Sequence, residues 1–416
     1  MVGDNGAVRV LIAPDHFGGP LTAVQAAAVI AAPWQRAGHE PVPVPMSDGG
    51  SGLMEAVHQL RGGTLSALDL SGPHGPPVPA AVLHVPGGGG GTAYIEPGAV
   101  LGAPGPDGSP GSAGAPGSTS GGPGPGTDAA DQGAAVEASR GTSAGVADLL
   151  HAALQTGAGR VVIGLGATPT HDGGRGLIVR LAELIGLPQP PHGEPWQVLG
   201  PLRGALAGVD LVVAAAQDAP LLGLHGAGAG LQRMGVSAID AQQIERQVAD
   251  FAHAALAHVR SLPRARTLLG GSEPEPGPGA SHTGAGGGVA FAVGLLGGRA
   301  LPGAAVVAEE LALRQVLEGI DLVITGTASL DNAATYDGVV PTIGSLAAEH
   351  GLPVVALAHE VFVNRTELAT AGISAAYPLI DRPLVPGRSS LPPGPEDPAE
   401  ALSARAERVV RNWSPR

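Results

Sequence analysis

The chain twice spells one succession: an apolar run, then Asp-Gly-Gly-x-Gly, then a helical stripe. The first copy is VPMSDGGSGL at residues 44–53 and the second THDGGRGL at residues 170–177. Strand followed by helix, repeated, directs a chain toward a parallel sheet covered by helices. The alternation continues beyond these copies. AVRVLIAPD (7–15) precedes an Ala-rich stretch from Leu21 to Ala32, and RVVIGLG (160–166) follows a stripe of Val146, Leu149, Leu150, Ala153 and Leu154. Gly157 stands where that helix has to stop. DLVVAAA from Asp210, DLVITG from Asp321 and LPVVALA from Leu352 add further strands, while Leu53, Met54, Val57 and Leu60 share one helical face. These strands are continuous Val/Leu/Ile/Ala runs, as expected when both sheet faces are covered. Aromatics make up 2% of the chain, so the core has to be aliphatic.

A length of 416 residues accommodates two ordered domains with sequence to spare. Gly 68 and Pro 40 amount to about a quarter of the chain, a share found where non-periodic segments lack order. Three segments carry that bias. Residues 98–135 are low-complexity Gly/Pro/Ser, with too little apolar surface to offset ordering entropy, and read as a disordered surface insertion. Residues 271–283 read as an interdomain linker, and 383–398 as a Pro-rich lead into a last helix.

The net charge of -14 repels nucleic-acid phosphates and anionic lipid, which argues against either as the main partner. Without cysteine there are no disulfides, thiol nucleophiles or zinc-thiolate sites. No signal-like start or membrane-length apolar run is present, so a cytoplasmic protein is expected. All 22 basic residues are Arg, which excludes a Walker A loop and a protein-kinase lysine. GAGAGL (226–231) and GAGGGV (284–289) miss the full dinucleotide fingerprint. His253 and His258, five apart, do not share a helical face for a metal.

Ligands of open α/β sheets bind outside the carboxyl ends of the strands, where Asp15, Asp48, Asp172 and Thr325 are expected. Gly49, Gly50, Gly173 and Gly174 would let backbone N–H groups approach an anion at a helix start. The neighbouring carboxylates repel phosphate unless a cation lies between, so Mg²⁺ held with waters and phosphate oxygens is expected. Arg175 is placed to clamp a phosphate, and His171 to act as a base near neutral pH. Plain tight turns are the competing reading of both loops.

The landmarks VLIAPDHFGG, PMSDGGSG, VIGLGATPTHDGGRG, DAPLLGLHGA, GAGGGVAFAVGLLGGRALPG and DLVITGTASLD, in this order, resemble those of the bacterial type I glycerate kinase family. The resemblance spans about residues 8–380 apart from the insertion. It implies transfer of phosphate from ATP, with Mg²⁺, to D-glycerate. The implied fold is α/β with two domains: a Rossmann-like parallel-sheet domain from both chain ends (1–66 and 284–382) and a second α/β domain from the middle (67–270), with a cleft between them. The tail would be 383–416. Asp15 and Phe17, Asp48 to Gly50, Gly164, Gly166, Asp172 to Gly174, Asp218, Pro220, Gly223, Gly286, Gly287, Thr325, Gly326 and Asp331 match family positions.

On that basis Asp48, Asp172 and His171 are the expected catalytic groups. Asp15, Gly49, Gly50, Gly173, Gly174, Arg175, Gly286, Gly287, Thr325 and Gly326 are the expected substrate and phosphate contacts, and Asp48, Asp172 and Asp218 the expected metal ligands. Several polar and charged family positions are replaced: lysines by Gly18, Gly235 and Val339, a Glu and an Arg by Thr327 and Ser329, an Asn by His171, a Glu by Ser51 and an Asp by Ala216. Codon bias turns Lys into Arg, not into Gly or Val. Two expectations follow: an active kinase in which Arg175 and Arg140 stand in for the lysines, or a non-catalytic relative that binds ligand or regulates.

Overall fold

The computed structural model describes residues 7–17, 21–103, 133, 136–137, 139–188, 194–262, 277–379 and 397–414. Gly18, most of the expected insertion, residues 271–276 of the expected linker and 383–396 lie outside the described residues. The strands run β1 (Arg9–Pro14), β2 (Glu40–Pro43), β3 (Thr64–Ser71), β4 (Pro77–Val85), β5 (Thr92–Ile95), β6 (Arg160–Leu165), β7 (Asp210–Ala215), β8 (Arg299–Pro302), β9 (Leu322–Leu330), β10 (Val354–Val361) and β11 (Ala375–Pro378). They divide between two compact units.

The first unit comprises Met1–Asp48, Glu55–Arg61 and Ala304–Arg416. Its sheet has the order β11-β10-β9-β1-β2 and is parallel throughout, with Val10 opposite Leu322 and Val355 opposite Ile324. Val10, Leu11, Ile12 and Ala13 on β1 have no exposed surface, as a central strand covered on both faces requires. One face is covered by the helices Ala23–Arg36 and Pro398–Trp413, which contribute Ile30, Trp34, Leu402 and Val409 to a shared cluster. Thr22 and Gln25 form a capping box at the first of these, and so fix where that helix begins.

The second unit comprises Gly49–Met54 and Gly62–Gly303. Its sheet has the order β3-β4-β5-β6-β7-β8. β5 to β8 are parallel, while β3, β4 and β5 form an antiparallel meander. The meander was not legible as such, because β3 is an edge strand with mostly exposed residues and a weak apolar pattern. The helices Ala144–Gln155, Arg175–Leu184 and Val289–Leu295 supply Leu149, Leu150, Leu177, Leu181, Phe291 and Val293 to its core. Each such side chain stabilises by about 1.5–3 kcal/mol on leaving water.

Several expected boundaries differ from those found: residues 49–54 and 62–66 join the second unit, and the expected tail is grouped with the first. Residues 284–303 belong to the second unit, because β8 pairs with β7 and the helix Val289–Leu295 is wholly buried there. Residues 277–283 are packed rather than linking. Leu222 N donates to Pro278 O at 2.9 Å and Leu221 N to Thr283 Oγ1 at 3.0 Å. Among the described residues, no helix is long and apolar enough to cross a membrane.

Candidate active site

In the first unit the expected residues gather at the carboxyl end of β1, where Thr325 and Gly326 of β9 pair with Ala13 and Pro14. Asp15 follows β1 and is buried, its N–H donating to Gly326 O at 2.8 Å. Its Oδ1 accepts from His16 N at 2.8 Å and lies 3.3 Å from His16 Nδ1. The His16 side chain is half exposed. Its pKa is raised to about 9, chiefly by the hydrogen bond to Asp15; burial opposes this, and the Asp15 and Asp48 charges add to it. The half-exposed imidazole is therefore a cation at neutral pH. A positive charge stands at the tip of β1, two residues before Gly18, where the family resemblance had lost a lysine.

Thr325 and Gly326 turn out to be scaffold. Thr325 is fully buried and its Oγ1 donates to Ala13 O at 2.9 Å, tying β9 to β1. Gly326 leaves room for the Phe17 ring, whose Cζ would lie 2.5 Å from any Cβ there. Neither side position is available to a phosphate. Val339, at one of the lost lysine positions, is core.

In the second unit the two acid-glycine loops differ. Gly49 and Gly50 pack backbone to backbone on the ends of β6 and β7: a Cβ on Gly49 would come within 2.8 Å of Ala214 O, and one on Gly164 within 2.7 Å of Gly49 O. The second loop is closed by its own acid. Asp172 Oδ1 accepts from Gly174 N at 2.9 Å, and Oδ2 accepts from Gly176 N at 3.0 Å and from Ser143 N and Oγ at 2.9 Å each. Arg175 N donates to Asp172 O at 3.2 Å, and Leu177 N to Ser143 Oγ at 3.0 Å. The leading N–H groups of the helix Arg175–Leu184 are thus satisfied from within the chain. The expected anion cradle is filled by a carboxylate 2–4 residues upstream and a serine 29–34 residues upstream.

This loop interlocks with a second one. Gly173 N donates to Gly287 O at 3.0 Å, and Gly286, Gly287 and Gly288 all have left-handed φ and are buried. A Cβ on Gly287 would lie 1.9 Å from Thr170 O, and one on Gly288 would lie 2.5 Å from Gly173 Cα. The positions expected as phosphate contacts here are occupied by close backbone packing.

His171 was expected as a base near neutral pH. It is buried, its N–H donates to Ser139 O at 3.2 Å, and burial lowers its pKa to about 4. Its Nε2 and the neighbouring Thr170 Oγ1 are buried without a hydrogen-bond partner. Desolvation explains the difference from expectation, since a buried imidazole resists the charge that a base acquires. Arg175 is exposed and lines a cavity of about 500 Å³ with Pro195, Trp196, Gln247, Asp250 and Phe251. Arg140 is exposed as well.

Among the described residues no group of three or more His, Asp or Glu side chains could hold a metal ion. Asp172 has its oxygens engaged as above, and Asp218 Oδ1 lies 3.7 Å from His282 Nδ1.

Ser143 and His282 escaped the sequence reading. Ser143 sits before a helix it does not cap, and its engagement with Asp172 crosses 29 residues. His282 lay inside a Gly/Pro-rich stretch that read as a linker.

Comparison with known proteins places these features. The sequence profile of the Glycerate kinase family matches residues 10–134 and 124–414. A protein of Mycobacterium bovis described as uncharacterized is 33% identical over 381 residues, covering 90% of this chain and 85% of its own. Glycerate kinase of Bacillus subtilis is 27% identical over 422 residues, covering 97% and 96%. Glycerate 2-kinase of Escherichia coli is 26% identical over 389 residues, covering 90% and 91%. A crystal structure assigned to glycerate kinase 2 from Salmonella typhimurium LT2 shares the fold, with a TM-score of 0.66 at 21% identity over 98% of each chain. On the profile match along nearly its whole length, the chain belongs to the glycerate kinase family.

Proposed function

We propose that the protein is an ATP-dependent kinase that phosphorylates D-glycerate or a closely related hydroxy acid. The observation that carries this reading is the family match over nearly the whole chain, combined with polar groups at the strand ends where ligands of such sheets bind. Phosphoryl transfer depends on positioning and on neutralising charge that develops on the transferred group. The cationic His16 beside Asp15, with Arg175 and Arg140, supports that requirement in a chain without lysine. Asp172, on this reading, is a positioning residue that sets the start of its helix. Asp15 and Asp48 face the charged ligands. A magnesium ion bound with the nucleotide would supply further neutralising charge.

Loss of one oxyanion-stabilising donor commonly costs 10²- to 10³-fold in rate. The replaced charged positions and the self-filled loop at Asp172 favour one alternative: a relative that binds ligand without turnover. Purified protein with ATP, Mg²⁺ and D-glycerate separates the two. The kinase reading expects ADP that depends on glycerate. No ADP across a panel of hydroxy acids, together with nucleotide-independent thermal unfolding, would leave the non-catalytic reading standing.

A further inference from the structure

The cavity beside the second acid-glycine loop carries chemistry beyond a phosphate contact. It encloses about 500 Å³ and is lined by Arg175, Pro195, Trp196, Gln247, Asp250 and Phe251, all of the second unit. Three elements wall it. Arg175 opens the helix Arg175–Leu184, Pro195 and Trp196 begin the turn Pro195–Val198, and Gln247, Asp250 and Phe251 share one face of the helix Ala238–Ser261. The turn packs against both helices, and Trp196 rests on the core of the unit. The Phe251 ring closes on the loop itself, since its Cδ1 would lie 3.2 Å from a Cβ on Gly173.

The lining describes an occupant. Aromatics make up 2% of the chain, yet a Trp and a Phe meet in this one cavity. The side chains of Arg175, Gln247 and Asp250 make no hydrogen bond or ion pair among the described residues, and all three residues are exposed. A cation, an amide and a carboxylate thus stand uncommitted around an aromatic wall, the mixture of apolar lining and a few polar groups that small-molecule sites of this size have. A fitting ligand has a flat apolar body for the rings, hydrogen-bond donors for the carboxylate and negative charge for the guanidinium. Glycerate lacks the flat body and is too small to fill the space. Adenine supplies that body, its amino group donates, and the phosphates of its nucleotide carry the charge. We propose that this cavity receives the adenine base of ATP, with Trp196 stacking on the ring, Asp250 and Gln247 holding its amino edge, and Arg175 meeting the phosphates. The placement rests on the nucleotide use in the kinase reading above. Trp196 and Asp250 are then the residues that select the base, whereas Arg175 reads phosphate whatever is attached to it.

The test is calorimetric titration of the full-length wild type, W196A and D250A with ATP and Mg²⁺, and with inorganic tripolyphosphate and Mg²⁺ as the probe without a base. A base stacked on an aromatic side chain contributes roughly 5- to 100-fold in affinity, so W196A is expected to weaken ATP binding in that range and to leave tripolyphosphate unchanged. D250A removes one hydrogen-bond acceptor and is expected to weaken ATP by about 3- to 10-fold without weakening tripolyphosphate. Asp250 is exposed, so this variant reports on the site even where W196A fails the thermal-unfolding check. Wild-type ATP affinity in either folded variant, equal weakening of ATP and tripolyphosphate, or a wild type that binds ATP no tighter than tripolyphosphate overturns the proposal. No turnover is needed for these titrations. A chain that loses ATP affinity in both variants but forms no ADP keeps the adenine site and loses the kinase reading; glycerate-dependent ADP formation with both variants binding ATP as the wild type does has the reverse meaning.

Discussion

Asp172 has the same chemical neighbours as a phosphate would have at a helix start, and it takes their place. Its oxygens accept from Gly174, Gly176 and Ser143, and hydrogen bonds to a charged group contribute about 1.5–3 kcal/mol each. D172A leaves those donors unsatisfied, so it is expected to lower stability by about 3–5 kcal/mol in denaturant unfolding, with D172N between it and the wild type. Wild-type stability in D172A would refute the structural role. Two histidines give the residue scale a pH signature. Burial holds His171 neutral to about pH 4, whereas an unfolded imidazole takes its proton near 6.5. The unfolded chain then binds the extra proton, and stability falls from pH 6.5 toward 4, by roughly 3 kcal/mol at the lower end. His16 works in the opposite sense. With a folded pKa of about 9, its contribution is complete below 6.5 and is lost as pH rises through 9, in an amount that water at the half-exposed ring reduces. Unfolding midpoints at pH 4.5, 6.5 and 9 are expected to peak near 6.5. H171N should flatten the acid limb and H16N the alkaline one; limbs unchanged by these substitutions would remove both explanations.

At the scale of elements, what orders the second unit's loops is mutual contact between distant segments. The helix Arg175–Leu184 begins where it does because Asp172 and Ser143 meet its first donors. The loop at 286–288 can approach Gly173 only without side chains. G287A combines a Cβ 1.9 Å from Thr170 O with φ 62, and is expected to cost roughly 3 kcal/mol or more. A Tm within about 1 °C of wild type would contradict the interlock; overpacking on that scale shifts Tm by several degrees. These contacts also mark where sequence reading stops. The buried strands β1, β6, β7, β9 and β10 were legible because continuous apolar runs carry their own signal. So was the helix Ala144–Gln155, from its stripe and the stop at Gly157, and a last helix was expected after the Pro-rich lead. The β3-β4-β5 meander was not, since an exposed edge strand lacks such a run. Residues 277–283 read as linker because Gly and Pro dominate their surroundings, and that hid His282. Acid plus glycine before a helix reads alike whether the acid attracts a cation or caps its own loop. Only the 29-residue reach to Ser143 distinguishes the cases.

For the whole molecule, the family profile covers both chain ends and the middle, and the parallel strands of both sheets follow from the alternation that opens the sequence. The chain carries a net charge of -14 and no lysine. On the kinase reading such a chain has to gather its positive charge locally, and His16 at the tip of β1 is one group that carries it. Nucleotide that binds only the folded chain stabilises it by about 2.7 kcal/mol at a hundredfold excess over Kd. ATP with Mg²⁺ should therefore raise Tm, and H16N should diminish that rise. An H16N protein with the full nucleotide shift would place the compensating charge elsewhere. The most direct measurement is ADP release by the purified wild-type chain given ATP and Mg²⁺, with and without D-glycerate or a related hydroxy acid. The account predicts release that requires the hydroxy acid; equal release in its presence and absence, or none at all, would contradict it.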